Sequence, residues 1–472
     1  MGEQLSLGHA DLGDVYYMTL LRFVGCTAPS HEYASAFGGD HVAGQGRGDM
    51  ADLSNPREAM AFLASFSENL PAWRRPAAFL ASLAKVPAMG DSGVRADCEV
   101  AVRMAQRFRL SDGVSRALDQ SFERWDGRGA PRHLKAGDVA LPSRLAAVAY
   151  TAVMFHEAGG RAAAREAVAR WRGGKLDPEL AEAFLARTDD LLEEIETADV
   201  WVAALAAEPS PQRQVRGAAV DEVCRGCADF VDLKSPYLHG HSSGVAALAE
   251  TAGRSSGLTG EEVEGLRRAA LLHDLGRAGV TTSIWEKPGP LSSAEWEQVR
   301  LHAYHSERIL ARSSALAPLA QVAGMHHERL DGSGYHRGAP AALQPKPARI
   351  LAAADVYQAL ISERPHRPAL APDAAARVLE SQPGLDRDAV GAVLAAAGER
   401  ARRIPRSWPA DLTEREVDVL RRLAKGRSEK QIAAELFVST STVHTHVNHI
   451  YEKAQVSTRA SAALFAMENG LI

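Results

Sequence analysis

The chain has 472 residues, a formal net charge of −5 and a hydrophobic fraction of 46%. That length accommodates about three domains, each able to bury a core, and the charge excludes a globally basic surface for nucleic acid or membrane, so any DNA binding has to be local. The longest apolar run, residues 146 to 155, is too short to cross a bilayer, the N-terminus lacks the basic and apolar regions of a secretory signal, and four cysteines are too few for a disulfide framework; a cytoplasmic protein without a membrane partner is expected.

In chain order, the first informative element is one half of a repeat. LLRFVGC at 20–26 is echoed by LLHDLGR at 271–277, and SFERWDGRGAPRH at 121–133 returns as HHERLDGSGYHRG at 326–338. RLAAVAYTA at 144–152 pairs with RILAAADVY at 349–357 at the same offset of 205 residues, which points to duplication. The frame is shared and the chemistry is not. Where the second half has His273, Asp274, His326, His327 and Asp355, the first has Arg22, Phe23, Ser121, Phe122 and Tyr150.

A polar connector, 207–217, follows, and then Cys224 and Cys227, which with no second cysteine pair nearby read as ordinary helix residues. Thr259 with Glu262 and Ser292 with Glu295 have capping-box spacing. The first predicts a helix that buries Val263, Leu266 and Ala270 and ends at the His273-Asp274 pair; the second predicts a helix that turns Val299, His302 and Ile309 inward. A second connector spans 402–411, and boundaries are expected near 200 and 408. The tail beyond reads as four short helices, two opening on the capping pairs Thr413/Glu416 and Ser428/Gln431. The expected fold class is therefore all-α: two related helical domains, 1–200 and 226–400, and a four-helix domain, 408–472.

Nine of the seventeen histidines lie between His239 and His366, accompanied by aspartates. Imidazole nitrogen and carboxylate oxygen suit iron, manganese or zinc, and a metal pair sharing a carboxylate is a common clamp for phosphate-ester hydrolysis.

HGHSSGVA, LLHDLGRAGV, KPGPLSSAEWEQVRLHAYHSERIL, HHERLDGSGYHRG and RILAAADVYQAL, in this order, resemble the HD-GYP subgroup of the HD phosphohydrolases. The resemblance implies hydrolysis of cyclic di-GMP at two divalent ions, iron or manganese before zinc. Its implied metal ligands are His241, His273, Asp274, His302, His326, His327 and Asp355, with Asp274 bridging and acting with Arg277 in catalysis. Arg277, Gly334, Tyr335 and His336 would meet the substrate, and the first half would be a degenerate copy. Three positions depart from the family pattern: Arg277 replaces a lysine, His336 replaces the proline of GYP, and Tyr237 stands where some members offer a glutamate to a third metal. An arginine still neutralises phosphate charge but does not readily donate a proton. Two alternatives follow: a sensor that binds nucleotide without turnover, and a hydrolase of another phosphoester.

The tail resembles the LuxR-type helix-turn-helix almost end to end, which implies binding to double-stranded promoter DNA with 429–436 as scaffold helix and about 440–453 as recognition helix. Thr440, Ser441, Thr442, His444, Thr445 and Asn448 would face the groove, and Lys430, Lys453 and Arg459 would supply charge. Residues 405–472 carry nine Lys or Arg against eight Asp or Glu, a net of +1. Phosphate contacts supply most nonspecific affinity, so one tail should bind weakly and a homodimer is expected. A fragment of about 405–472 should bind a two-fold duplex site only at low salt, with the full chain tighter because it holds two tails together. Equal affinities at every salt concentration would contradict that pairing.

Overall fold

The computed structural model describes residues 2, 7–37, 46, 48–65, 73, 75–197, 199–401 and 408–472. The connector segment 402–407 lies outside the described residues. The described residues contain helices and turns but no strand longer than an isolated bridge, and none of their helices is long and apolar enough to cross a membrane. The chain divides into two compact units, 1–216 and 217–472, so the tail shares a unit with the second half.

The first unit runs through α1 (His9–Leu21), α2 (Ser30–Phe37), α3 (Pro56–Ser65), α4 (Arg75–Arg107), α5 (Asp112–Asp119), α6 (Leu141–Trp171), α7 (Pro178–Leu185), α8 (Thr188–Thr197) and α9 (Val200–Ala206). The apolar run at 146–155 lies within α6, where Val148 and Ala152 join a core with Trp171 and Phe184.

The second unit begins with α10 (Ala218–Asp232), α11 (His241–Ser255), α12 (Gly260–Leu272), α13 (Thr282–Trp285), α14 (Ser293–Ala311), α15 (Ala317–Gly324), α16 (Lys346–Ile361), α17 (Pro372–Ser381) and α18 (Arg387–Ala401). Both expected capping boxes form at the starts of α12 and α14. The α12 face carrying Val263, Leu266 and Ala270 is buried. On α14 the buried stripe runs Val299, His302, Ala303, Ser306, Leu310, and Ile309 is exposed. The expectation for Ile309 fails because Leu310, one position on, takes the inward place on the last turn. Cys224 packs into the main core of this unit as a free thiol, its pKa pushed up to about 11 by burial.

The tail contributes α19 (Glu414–Ala424), α20 (Glu429–Leu436), α21 (Thr440–Ala454) and α22 (Arg459–Glu468), with both expected capping boxes present. Leu420, Leu423, Ile432, Val443, Val447 and Ile450 form its core.

The duplication is visible atom by atom in the loop that follows the histidine pair. Glu328 accepts hydrogen bonds from the amides of Arg337 and Ala339, and Glu123 accepts them from Arg132 and Leu134, the same positions 205 residues earlier. Each bond to a charged acceptor contributes roughly 1.5–3 kcal/mol, enough to offset the burial of these carboxylates. A Cβ at Gly334 would fall 2.5 Å from the Glu328 Cα, and one at Gly129 would fall 2.5 Å from the Glu123 Cα, so both glycines exist for a close backbone approach. The Tyr335–His336 and Ala130–Pro131 peptides, again at matching positions, are both cis.

Candidate metal centre and nucleotide cavity

Five segments of the second unit bring the candidate ligands together. His241 opens α11, His273 caps α12, Asp274 starts the turn after it, His302 lies inside α14, His326 and His327 follow α15, and Asp355 lies inside α16. The Asp274 turn reaches α14 through Gly276, where a Cβ would sit 2.0 Å from the His302 carbonyl. All seven side chains converge, six of them buried and His327 nearly so.

Asp274 divides the donors into two groups. Its Oδ2 faces His241 Nε2 at 3.4 Å and His273 Nε2 at 3.1 Å; its Oδ1 faces His302 Nε2 at 3.4 Å and His326 Nε2 at 3.6 Å. Asp355 Oδ1 completes the first group, 3.0 Å from His241 Nε2, and its Oδ2 lies 3.8 Å from His327 Nδ1.

The backbone fixes which nitrogen points inward. His273, His302 and His326 each place Nδ1 against the carbonyl three residues earlier, Ala270, Val299 and Ala323, as donors. That tautomer leaves each Nε2 as a lone pair aimed at the centre, the orientation that metal-bound histidines take from such carbonyls. His302 Nε2 and His326 Nε2 are then two acceptors 3.0 Å apart, and both Asp274 oxygens and His273 Nε2 are buried without a hydrogen bond. Lone pairs converging this way need a cation, so the residues present fit a divalent metal; His241/His273/Asp355 and His302/His326/His327 could each hold one. Burial opposes charge on His273, but Asp274 and Asp355 outweigh it and raise its pKa to about 10, so a metal ion at this nitrogen would take the place of a proton that the two carboxylates otherwise hold there. Burial and the neighbouring imidazoles hold His326 and His327 far below the usual histidine value.

A cavity of about 750 Å³ opens onto this centre, with Arg277, His302, His327, Tyr335 and Asp355 in its wall. Arg277 is buried, its Nη1 2.8 Å from Asp274 Oδ2 and its guanidinium 4.8 Å over the Trp285 ring. Tyr335 stacks on His327 at 4.6 Å. Gly334 and His336 are not in the wall: Gly334 packs on the Glu328 backbone, and His336 Nε2 lies 3.7 Å from Glu307 beside Tyr304. Of the substrate-contacting set, therefore, Arg277 and Tyr335 reach the cavity while Gly334 and His336 shape the loop behind it. Tyr237 also lines the cavity. Sequence reasoning missed Lys287, Trp285, Trp296, Arg364 and Arg367, which line it too. The compact SERPHRP run at 362–368 was the available signal for the two arginines.

At the matching positions of the first unit, Arg22 is buried with its guanidinium carbon 5.2 Å from the Tyr150 ring centroid, 5.6 Å from Phe122 and 5.7 Å from Phe23. Gly25 approaches the Asp97 carbonyl as Gly276 approaches that of His302, so Asp97 is the counterpart of His302. Burial, then the nearby Asp49, raise the Asp97 pKa to about 8. Among the described residues, this unit contains no group of side chains that could hold a metal.

In the tail, α20 and α21 coincide with the expected scaffold and recognition helices. Lys430, Thr440, Ser441, Thr442, His444, Thr445 and Asn448 are exposed, and Arg459 is half-buried. Lys453 is bound to Glu416 at 2.7 Å and to the Asp411 carbonyl at 3.1 Å, so its charge is partly spent within the tail.

Residues 225–389 match the HD domain family and residues 410–466 the luxR family of bacterial regulatory proteins. The chain is 30% identical over 385 residues to the 3′3′-cGAMP-specific phosphodiesterase 3 of Vibrio cholerae, a match covering 80% of this chain and 83% of that protein. It is 34% identical over 165 residues to a cyclic di-GMP phosphodiesterase of Thermotoga maritima, covering 34% of this chain and 44% of that one. The crystal structure of a Vibrio cholerae cyclic GMP-AMP-specific phosphodiesterase aligns with a TM-score of 0.56 at 26% identity, over 84% of this chain and 89% of that chain. The chain belongs to the HD-GYP phosphodiesterase family, whose members are metal-dependent, and it joins that domain to a LuxR-type DNA-binding tail.

Because Asp274 faces both donor groups, Asp274→Ala should lose most of the metal found in protein purified without oxygen, and Asp355→Ala only part of it. Elemental analysis checks this. Wild-type metal content in Asp274→Ala would contradict the geometry.

Proposed function

We propose that the second half is a two-metal phosphodiesterase for a cyclic dinucleotide, loaded with iron or manganese, and that the tail binds promoter DNA as part of a cytoplasmic homodimeric regulator. The observation that carries the reading is the placement of Asp274, one oxygen toward each histidine group, behind a cavity whose wall includes His302, His327 and Asp355 of the same cluster together with the cationic Arg277, Lys287, Arg364 and Arg367. A volume of about 750 Å³ falls within the roughly 300–1,000 Å³ of small-molecule sites.

Bound metal ions supply charge neutralisation at the phosphate and activation of the attacking water. The chain's own residues do the rest. His241, His273 and Asp355 would hold one ion and His302, His326 and His327 the other, with Asp274 between the two groups. Arg277 and Arg364 meet phosphate oxygens through guanidinium forks, which suit that geometry better than a point charge. Burial raises the Tyr335 pKa, so its hydroxyl stays protonated and offers a donor at the cavity wall. Trp285 and Trp296 offer aromatic faces to the bases. The Vibrio cholerae relative is specific for 3′3′-cGAMP by name, which favours that nucleotide over cyclic di-GMP as the better substrate.

Metal-loaded protein is expected to convert 3′3′-cGAMP to linear product faster than cyclic di-GMP. Arg277→Lys should keep or raise the rate, and Arg277→Ala should lower it by about 10²-fold, the usual cost of losing one charge-stabilising donor. Metal-loaded wild type that binds the nucleotide yet forms no linear product over hours would make the protein a sensor instead.

A further inference from the structure

The tail and the phosphohydrolase half meet inside one compact unit, and their contacts fall on the loops that wall the cavity. Residues 235–240 and 363–367 form these loops. Ser235, Tyr237 and Leu238 of the first line the cavity, as do Arg364 and Arg367 of the second. The residues between and beside them touch the tail. His239 Nδ1 lies 2.7 Å from the carbonyl of Ala424, the last residue of α19. The backbone of Ile472 lies against Gly240, the residue before the metal-facing His241. Glu363 accepts an ion-paired hydrogen bond of 2.6 Å from Arg427, in the turn between α19 and α20. The two loops are also bonded to each other, because Arg364 donates to the Tyr237 carbonyl at 3.0 Å.

The tail is seated by more than these polar contacts. Helix α22 reads ASAALFAM over 460–467, apolar on every side, and a helix of that kind is buried on every side. Ala462, Phe465 and Ala466 enter the tail's own core; Ala463, Leu464 and Met467, on the other side, are buried as well, and α22 packs against α10.

We propose that these loops couple the two functions: nucleotide in the cavity and DNA on the tail each shift how the tail is seated, through loops 235–240 and 363–367. The inference rests on the nucleotide site proposed above. Arg364 is half-buried in the cavity wall beside Arg277 and Arg367, and a phosphate that engaged it would draw it from the Tyr237 carbonyl and displace Glu363 beside it. Glu363 holds Arg427, so occupancy of the cavity changes the energy of the seated tail. The exposed face of α21 stays available to DNA in the seated arrangement, so coupling acts on how the tail is held and not by covering its reading face.

Linkage makes the proposal quantitative, since a ligand that changes DNA affinity by some factor must have its own affinity changed by DNA by the same factor. The experiment uses full-length protein, a hydrolysis-resistant phosphorothioate analogue of 3′3′-cGAMP, and a duplex recovered by in vitro selection with this protein. The analogue should shift the DNA Kd by about fivefold or more, and saturating DNA should shift the analogue's Kd by the same factor. Arg427→Glu and Glu363→Arg should each reduce both factors toward one while the analogue still binds in the absence of DNA. The charge-swapped double variant, E363R with R427E, should restore them, which a merely unfolded tail would not. Analogue binding without any reciprocal shift, or a full shift in both single variants, would overturn the coupling and leave the nucleotide site standing. No binding of the analogue would overturn both.

Discussion

The second half is organised around one buried carboxylate that four imidazoles approach from two sides. Both oxygens of Asp274 are left without a protein hydrogen bond, because three of the four histidines facing it, His273, His302 and His326, have committed their Nδ1 protons to backbone carbonyls and turn Nε2 toward it. Leaving such a group uncompensated would cost several kcal/mol. The fold tolerates it because α11, α12, α14 and α16 end or pass at the same point, held there by an apolar core of Leu248, Leu266, Leu310 and Ile350. Arg277, turned onto Asp274 at 2.8 Å, supplies one positive charge, and the donors left over are of the kind that could hold a metal ion.

The first unit shows what the frame is worth without that demand. It keeps the Glu123 cradle and the Gly25 and Gly129 close approaches, but has Arg22 where His273 stands in the second half. A guanidinium stays charged at any physiological pH and here lies among three aromatic rings, so a fixed cation sits in place of an exchangeable one. The scaffold and the chemistry are therefore separable: loop geometry comes from buried glutamate and glycine, and metal chemistry from the histidines laid on it.

Much of this was legible in the sequence. The capping pairs at Thr259, Ser292, Thr413 and Ser428 start helices where expected because a side-chain oxygen and a glutamate or glutamine three residues on satisfy orphan amides locally. The clustering of histidine and aspartate pointed to a metal site, while the particular set of seven came from the resemblance to the HD-GYP pattern, and the fold brings those seven side chains together. The cavity wall was not, since Lys287, Trp296 and Arg364 come from separate loops and carry no periodic signal. Ile309 is exposed because it and His302, seven residues apart, share a line at the edge of the buried stripe, whose middle passes through Val299, Ser306 and Leu310. His336, expected at the substrate, instead lies by Glu307, a neighbour that only the folded loop provides. The seating of the tail was not read from the sequence: the ASAALFAM segment, apolar but for Ser461, calls for burial on more than one side, yet its partner surface depends on tertiary placement.

One carboxylate, that of Asp274, is expected to join two metal sites. Anomalous diffraction at the iron and manganese edges, from crystals grown without oxygen, tests it most directly. Two peaks are expected, one on each side of the Asp274 carboxylate, separated by roughly 3.5–4 Å as in other two-metal centres. A single peak on one histidine group, with Asp274 bound through one oxygen or none, would rule out a shared carboxylate.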